Sequence, residues 1–364
     1  MISRLFPSKR IALYLAKTFL LRSIAVLGAL VLILMMLDLL GQSGKILAYP
    51  GNGDAELWRY ASLRVPQLIA RFLPFAILLG TLITLTALNQ NSEIVSMKAA
   101  GISAHQIIAP LMVASLAVAG ISFMFNERIV TRATATLDAW EDVKYGPIPP
   151  DTDIHTNVWV RQGDDLVLAR QVRGEGANTR LSGITIHERQ DGILTRIIDA
   201  ERGVPEGGAW RLANARVTDV TAARVAQAAS LIAGQGVTPD QFTLAAVDPN
   251  EQGFAALSTS IGQLRAAGRE TRSLEANLWH KFSGPLSSVL MPLLAAVAAF
   301  GLARSGQVFV RAVIGMALGF AFFVADNFAL AMGNLGAYPP WLSAWGPFFL
   351  FALIGETVLI RTEE

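Results

Sequence analysis

The sequence predicts an α-helical membrane protein: six transmembrane helices in a three-plus-three arrangement, with a β-jelly-roll domain inserted between the halves. Three observations predict it. Of 364 residues, 52% are hydrophobic and only 16% charged, with a mean hydropathy of +0.44, against about 25% charge in an ordinary soluble domain. Both ends of the chain run long distances almost without charge while the middle is of ordinary polarity, which separates two membrane halves from a soluble insert. The middle also carries short runs of alternating apolar and polar residues between glycine turn signals, the pattern of half-buried strands. There is no cysteine, so disulfides and thiolate metal sites are excluded. A net charge of +2 gives no reason to expect a nucleic-acid partner.

The first helix is the apolar run 23–40, interrupted only by Asp38; about 20 such residues cross a bilayer. Its flank holds Arg4, Lys9, Arg10, Lys17 and Arg22 and no acid, which places the N-terminus in the cytoplasm. The run lacks the short core and small-residue cleavage site of a signal peptide and reads as a permanent anchor. Residues 41–65 are polar, with a turn at Gly51-Asn52-Gly53-Asp54, and read as an outer loop. The second helix is 66–88, with a kink expected at Pro74, and the third is 105–125. The insert is expected over 126–280. Its first part, to about Trp140, can continue the third helix until Gly146-Pro147-Ile148-Pro149-Pro150 breaks it. Strands are predicted at 157–160, 166–171, 184–188, 194–200 and 210–220, with turns at Gly163-Asp164, Asp191-Gly192 and Gly207-Gly208. That spacing suits an antiparallel sandwich or jelly roll. Residues 257–272 read as a short amphipathic helix broken at Gly268.

Helices four, five and six are 284–303, 312–332 and 341–360. The basic loop with Arg304 and Arg311 falls inside, and the uncharged loop 333–340 outside. Both termini are then cytoplasmic and the insert extracytoplasmic, giving membrane and insert spans of 1–125, 126–280 and 281–364. One outer loop breaks the charge rule: it holds Lys45, Arg59 and Arg64.

The most polar stretch of the first half is 89–110, NQNSEIVSMKAAGISAHQIIAP. Ser92 is placed to cap a helix whose first turn holds Glu93, facing the positive end of the dipole. Met97, Lys98, Ala99 and Ala100 are good helix formers, and Gly101 is the expected stop. Ser103 and Gln106 have capping-box spacing, and Ile102 and Ile107 that of a hydrophobic staple, for the helix that follows. A short helix between two membrane helices is expected. Spacing alone fits both a dock for a motor and a plain polar hairpin.

Motifs for chemistry are missing. Gly44-Lys45 is followed by isoleucine and lacks the upstream glycine of a phosphate-binding loop. No zinc-protease histidine pair or nucleophile elbow occurs, and His105, His155, His187 and His280 are scattered. The chain does not read as an enzyme, so uphill work needs an energy source elsewhere. Charges inside membrane helices carry a functional expectation. Asp326 lies mid-helix beside Asn327, while Asp38, Arg71 and Glu356 lie near helix ends. Gly315 and Gly319, at GxxxG spacing, point to close helix packing. Lys45, Arg128, Arg132 and Lys144 form a set of cations expected near the outer surface, where guanidinium groups could pair with the phosphates of an anionic amphiphile.

Nearly the full length resembles the LptF/LptG permeases of the bacterial lipopolysaccharide exporter. The resemblance lies in Tyr14-Leu15-Ala16-Lys17-Thr18, Val65-Pro66 and above all the stretch from Ser92-Glu93-Ile94 to Gly101. It continues in Leu278-Trp279-His280-Lys281-Phe282, Pro285-Leu286, Arg311, Gly315, Gly319-Phe320, Asp326 and Tyr338-Pro339-Pro340. The start and the entry to helix four look more like the LptG member. The resemblance implies an inner-membrane permease paired with its paralogue, LptF if this is LptG, over a dimer of the LptB ATPase, which alone binds ATP and magnesium. It implies that Glu93, with Ser92, Met97, Lys98 and Gly101, belongs to the helix that fits a groove on the ATPase. Helices one and five would line lateral gates for lipopolysaccharide, which passes to the jelly roll and on to LptC and LptA. Of the family's basic residues at the outer end of helix one, only Lys45 has a counterpart. Asp38 stands where a cation is expected, and Arg132, then Arg128, are the next candidates. Two other classes stay open on residues alone: a non-transporting anchor for an envelope complex, and an intramembrane enzyme using Asp326, which lacks a second aspartate or a nucleophile.

Overall fold

The computed structural model describes residues 8–147, 154–174, 176–190, 192–222, 224–239, 241–242, 247–266, 269–300 and 308–363. Two compact units are present: a helical one, Met1–Tyr145 with Pro249–Glu364, and a β unit, Gly146–Asp248. The segments 126–145 and 249–280 therefore cluster with the helices, although the sequence reading groups them with the insert. Arg4, Pro149, Pro150, Asp191, Gly268 and Arg304 lie outside the described residues.

Six helices are long and apolar enough to cross a membrane, in the expected order, and most outlast the apolar run that announces them. Helix α1 is Lys9–Leu47 and α2 is Asp54–Gln90. Residues 41–65 are thus not an outer loop but the end of α1, a turn and the start of α2. A helix satisfies its backbone internally, so it need not stop where the hydrocarbon does. Pro66 and Pro74 both sit inside α2. The turn falls at the expected glycines: Gly51 has φ +99°, and Glu56 Oε2 accepts from the Gly53 N–H at 2.7 Å. Asn52 Nδ2 donates to the carbonyls of Ile46 (2.8 Å) and Tyr145 (2.9 Å), tying this turn to a later part of the same unit.

After the short α3, Glu93–Ala99, helix α4, Ala104–Phe125, runs through a π-helical turn, Asn126–Val130, into α5, Thr131–Asp142. The turn is anchored by Glu127, whose Oε2 accepts from the Phe254 N–H at 2.6 Å and whose Oε1 lies 3.8 Å from Lys281 Nζ. Past the β unit come α6, Phe254–Ala266, α7, Arg272–Phe300, α8, Val308–Asn334, and α9, Pro340–Glu363. Helix α7 begins well before the expected residue 284. It is the hub: α2, α4, α8 and α9 all pack on it, and its segment 290–298 is buried throughout. Glycines let backbones approach. A Cβ on Gly319 would lie 2.1 Å from Leu78 Cδ2, and one on Gly315 would lie 2.7 Å from Leu82 Cδ2, so the GxxxG face packs on α2.

The β unit is one six-stranded antiparallel sheet in the order β1-β2-β3-β4-β5-β6. The strands are Ile154–Gln162, Asp165–Arg173, Arg180–Gln190, Ile193–Glu206, Ala209–Asp219 and Arg224–Ala233. Five are expected from the sequence. The sixth is alanine-rich and without alternation, and it is held as a strand by pairing with β5. One face buries Val158, Val167, Ile184, Ile186, Ile198, Trp210 and Leu212, with Val237 and Phe242 packed on them. Inward–outward alternation changes phase along a row of positions that includes Arg170, Gly183 and Asn214, where Gly183 has φ +64° and Asn214 φ +53°. Left-handed residues in strand interiors re-aim the chain, as bulges do, and let long strands such as β4 serve the core along their whole length.

Candidate functional site

The hairpin between α2 and α4 holds α3 by backbone geometry. Ser92 does not cap it through its side chain. Its backbone is left-handed, φ 59° and ψ 14°, and its Oγ makes no cap hydrogen bond. Helix α2 ends at Gln90 and α3 starts at Glu93, which leaves no room for an extended cap residue, so Ser92 reverses the chain. Its carbonyl then accepts from Ser96 Oγ and the Ser96 N–H, both at 3.0 Å. The far end closes as expected at Gly101, φ +81°. The Gly101 N–H donates to Lys98 O and the Ile102 N–H to Met97 O, each at 3.0 Å, which is the Schellman pattern. Ser103 and Gln106 form the expected capping box for α4.

Ile94, 5% exposed, anchors α3 in the bundle core, with Met97 and Ile102 packed beside it. The opposite face is open: Val95 is 60% exposed, and Ser96, Lys98, Ala99 and Ala100 are exposed. Two side chains tie α3 to other helices. Tyr14 Oη of α1 donates to Glu93 Oε1 at 3.4 Å. Lys98 Nζ stands 5.2 Å from the centre of the Phe300 ring at the end of α7, within cation–π range. His105 Nε2 of α4 meets Glu356 Oε1 of α9 at 3.0 Å.

At the other end of α1, Asp38 is a clamp. Its carboxylate accepts from Arg64 Nε (3.1 Å), Arg64 Nη2 (3.3 Å) and Tyr60 Oη (2.7 Å), all from α2. Arg59 covers the Trp140 ring at 4.6 Å. Two of the three cations that break the charge rule therefore have partners. The third, Lys45, lines a cleft of about 500 Å³ with Gln42, Tyr49, Glu141, Lys144 and Tyr145. Gln42 Oε1 is buried there without a hydrogen-bond partner. Burial, reinforced by the neighbouring Glu141 charge, pushes the Tyr145 phenol up to about 12, so it stays a neutral donor. The cleft brings Lys45 together with Lys144. Arg128, in the π turn, and Arg132, in α5, are exposed and form no ion pair among the described residues.

Asp326, on α8, has a partner the sequence reading missed. His280 Nε2 of α7 lies 3.7 Å from its carboxylate, and Ser283 Oγ lies 3.2 Å from His280 Nδ1. Asn277 Nδ2 and Ser273 Oγ both reach Asn334 Oδ1, at 3.0 and 3.2 Å. These contacts make a polar seam between α7 and α8, with side chains spaced along one face of each helix. The available signal was the run Ser273, Asn277, His280, Ser283 at intervals of three and four. Arg71 is exposed and unpaired among the described residues.

The chain matches the family model "Lipopolysaccharide export system permease LptF/LptG" over residues 13–361. It is 27% identical over 337 residues to the lipopolysaccharide export system permease protein LptG of Escherichia coli (strain K12), covering 90% of this chain and 91% of that protein. It is 26% identical over 324 residues to the protein of the same name from Haemophilus influenzae, covering 86% and 89%. Topology, inserted sheet and full-length match agree: the chain belongs to the LptF/LptG family of lipopolysaccharide export system permeases.

Proposed function

We propose that this chain is the LptG-type subunit of an ATP-driven lipopolysaccharide exporter in a bacterial inner membrane, with both termini cytoplasmic and the β unit periplasmic. The pairing of Arg64 with Asp38 and the stacking of Arg59 on Trp140 remove two objections to that orientation. Lipopolysaccharide carries several acyl chains, and each methylene contributes about 0.8 kcal/mol to remaining in lipid. Extraction is therefore steeply uphill, and the energy comes from ATP and magnesium bound by a partner, a dimer of LptB.

The observation that carries this reading is α3. It is a seven-residue helix fixed at both ends, with an open face around Val95 and polar ties to α1 and α7. An ATPase groove takes the open face. Closure of the nucleotide-bound dimer then displaces α3, and Glu93 and Lys98 pass that displacement to α1 and α7. At the opposite end of α1, the Lys45–Lys144 cleft binds substrate phosphate, with Arg128 and Arg132 as further cations. A paralogous permease of the LptF type completes the cavity, and LptC and LptA receive the cargo.

The test separates docking from transmission. Val95→Asp puts a charge into the proposed interface and is expected to lower copurification of the ATPase by tenfold or more, since an unpaired buried charge costs at least about 2 kcal/mol. Tyr14→Phe is expected to keep docking and slow ATP-dependent lipopolysaccharide release. ATPase yield unchanged in Val95→Asp, or release that proceeds without any ATPase, refutes the reading; the latter result with an assembled envelope complex favours an anchor.

A further inference from the structure

The cleft at the end of α1 carries both signs of charge. Lys45 comes from the last turn of α1, Glu141 from the last turn of α5, and Lys144 follows two residues after α5. None of the three forms an ion pair among the described residues. Glu141 Oε1 accepts from Tyr145 Oη at 3.3 Å, and its second oxygen has no partner among the described residues. Gln42 also lines the cleft, and its Oε1 is an acceptor without a donor. Helices α1 and α5 both end at this place, at Leu47 and Asp142, and a helix C-terminus presents partial negative charge. A carboxylate, an unsatisfied amide oxygen and two helix C-termini all oppose a bare phosphate and favour a cation, whereas the two lysines do the reverse. One cleft of about 500 Å³ thus has a cationic half and an anionic half.

Its wall is fixed by the backbone. Lys144 and Tyr145 are consecutive non-glycine residues in the left-handed region, with φ +52° and +63°. Such a conformation persists where the surroundings over-determine it, and here they do. The Lys144 N–H donates to Glu141 O and the Tyr145 N–H to Trp140 O, each at 2.8 Å. The Tyr145 carbonyl accepts from Asn52 Nδ2 at 2.9 Å, and its ring meets those of Trp140 and Tyr60 edge to face. The reversal brings Lys144 to the same cleft that Glu141 lines three residues earlier. The depth is that of a headgroup. Gln42 and Lys45 follow the last residue of the apolar run, Leu40, by two and five positions, about 3 and 7.5 Å farther along the helix, beyond the level of acyl chains.

We propose that this cleft selects a zwitterionic phosphoester, one whose phosphate carries an ammonium group, as in phosphoethanolamine. Lys45 and Lys144 take the phosphate oxygens. Glu141 and Gln42 Oε1 accept the ammonium N–H groups, in the negative field of the two helix ends. This rests on the reading of Lys45 and Lys144 as phosphate ligands and adds what that phosphate must bear. The same chemistry occurs on a glycerophospholipid headgroup and on lipopolysaccharide decorated with phosphoethanolamine.

The full-length protein is purified with equal amounts of phosphatidylethanolamine and phosphatidylglycerol, and the lipids that stay bound are counted by native mass spectrometry. The readout is the difference between variants, so lipids bound elsewhere cancel. Glu141→Gln is expected to lower bound phosphatidylethanolamine about three- to fivefold, the worth of a partly exposed ion pair, and to leave phosphatidylglycerol unchanged or raised. Lys45→Gln is expected to lower both lipids. A Glu141→Gln protein, folded by circular dichroism, that loses both lipids alike or neither overturns the proposal, while the phosphate reading stands if Lys45→Gln still lowers both. Lys45→Gln without effect on either lipid removes the phosphate reading and this proposal with it. Lipopolysaccharide then identifies the source. Displacement of phosphatidylethanolamine by the phosphoethanolamine-bearing form alone bears out the proposal with the cargo as ligand, and displacement by neither form bears it out with a glycerophospholipid as ligand. Equal displacement by both forms overturns it, since the ammonium group is then not read.

Discussion

The Asp38 clamp decides between a structural and a cargo role for the acid that stands where a cation is expected. Its carboxylate receives two hydrogen bonds from Arg64 and one from Tyr60, and the side chains of Asp38 and Arg64 are 21% and 30% exposed. Breaking a fully buried ion pair by removing one partner costs about 3–5 kcal/mol, and an exposed pair contributes less than about 1 kcal/mol. At this intermediate exposure, Asp38→Asn and Arg64→Gln are each expected to cost about 2 kcal/mol, between those limits. The double variant is expected to cost little more than either single one, because the second change removes a group already left without its partner. The cycle should then return a coupling of about 1.5 kcal/mol between the two positions. Denaturant titration of the four proteins in one detergent, followed by tryptophan fluorescence, measures it. Additivity within about 0.5 kcal/mol refutes the clamp, as do single variants of wild-type stability with impaired lipopolysaccharide release.

Three further outcomes follow from named contacts. Gly319→Ala, whose Cβ would lie 2.1 Å from Leu78 Cδ2, is expected to cost about 1–3 kcal/mol by overpacking; adding Leu78→Ala should recover part of that loss, and a further loss equal to Leu78→Ala alone rules out the contact. The Tyr145 phenol, raised to about 12 by burial and then by Glu141, favours the folded state while protonated. That contribution is intact below the free phenol value of about 10 and is lost as pH rises through about 12; Glu141→Gln should lower the midpoint in an ultraviolet titration. Asp219 accepts from Thr221 Oγ1 at 2.7 Å and the Ala222 N–H at 2.8 Å, which hold its carboxyl below the ordinary value, the hydroxyl most. Its contribution is present above about 4 and lost as pH falls through the lowered value, and Thr221→Val should move its titration upward in a carbon NMR experiment.

What could be read in advance divides by the kind of signal. The apolar runs are long enough that only a membrane solvates them, and all six stand as helices. Their ends were misplaced because polarity marks the membrane boundary, whereas helices stop where backbone geometry stops them, as in the turn at Gly51 that follows α1. Strand β6 was hidden because its residues have little strand preference and its pairing partner decides its state. The Ser103–Gln106 box was legible because both groups are local. Ser92 was misread because two helices meeting within three residues override the side-chain rule. Partners distant in sequence, Tyr14 with Glu93, Asp38 with Arg64 and His280 with Asp326, were out of reach of spacing, which speaks only within one element.

Those distant pairs give α1 its mechanical character. Only 11% of its apolar window is buried, so packing holds that stretch weakly. Its near end is packed into the bundle core by Leu15 and Phe19, and Gly80 of α2 admits Ser23 so closely that a Cβ would fall 2.2 Å from the serine Oγ. Arg22 Nη1 reaches the Ile83 carbonyl at 3.2 Å, and the Asp38 clamp closes the far end. At its near end the tie is to α3 through a single long hydrogen bond, 3.4 Å from Tyr14 to Glu93. A contact of that length is weak, and it joins the element with an open face around Val95 to a helix free along its lipid side. Both ends of α1 are nevertheless fixed, the near end by the core packing of Leu15 and Phe19 and the far end by the Asp38 clamp. The compliant part of α1 is the lightly buried apolar stretch between those two anchors, so a displacement of α3 would flex the helix there rather than swing it about one end.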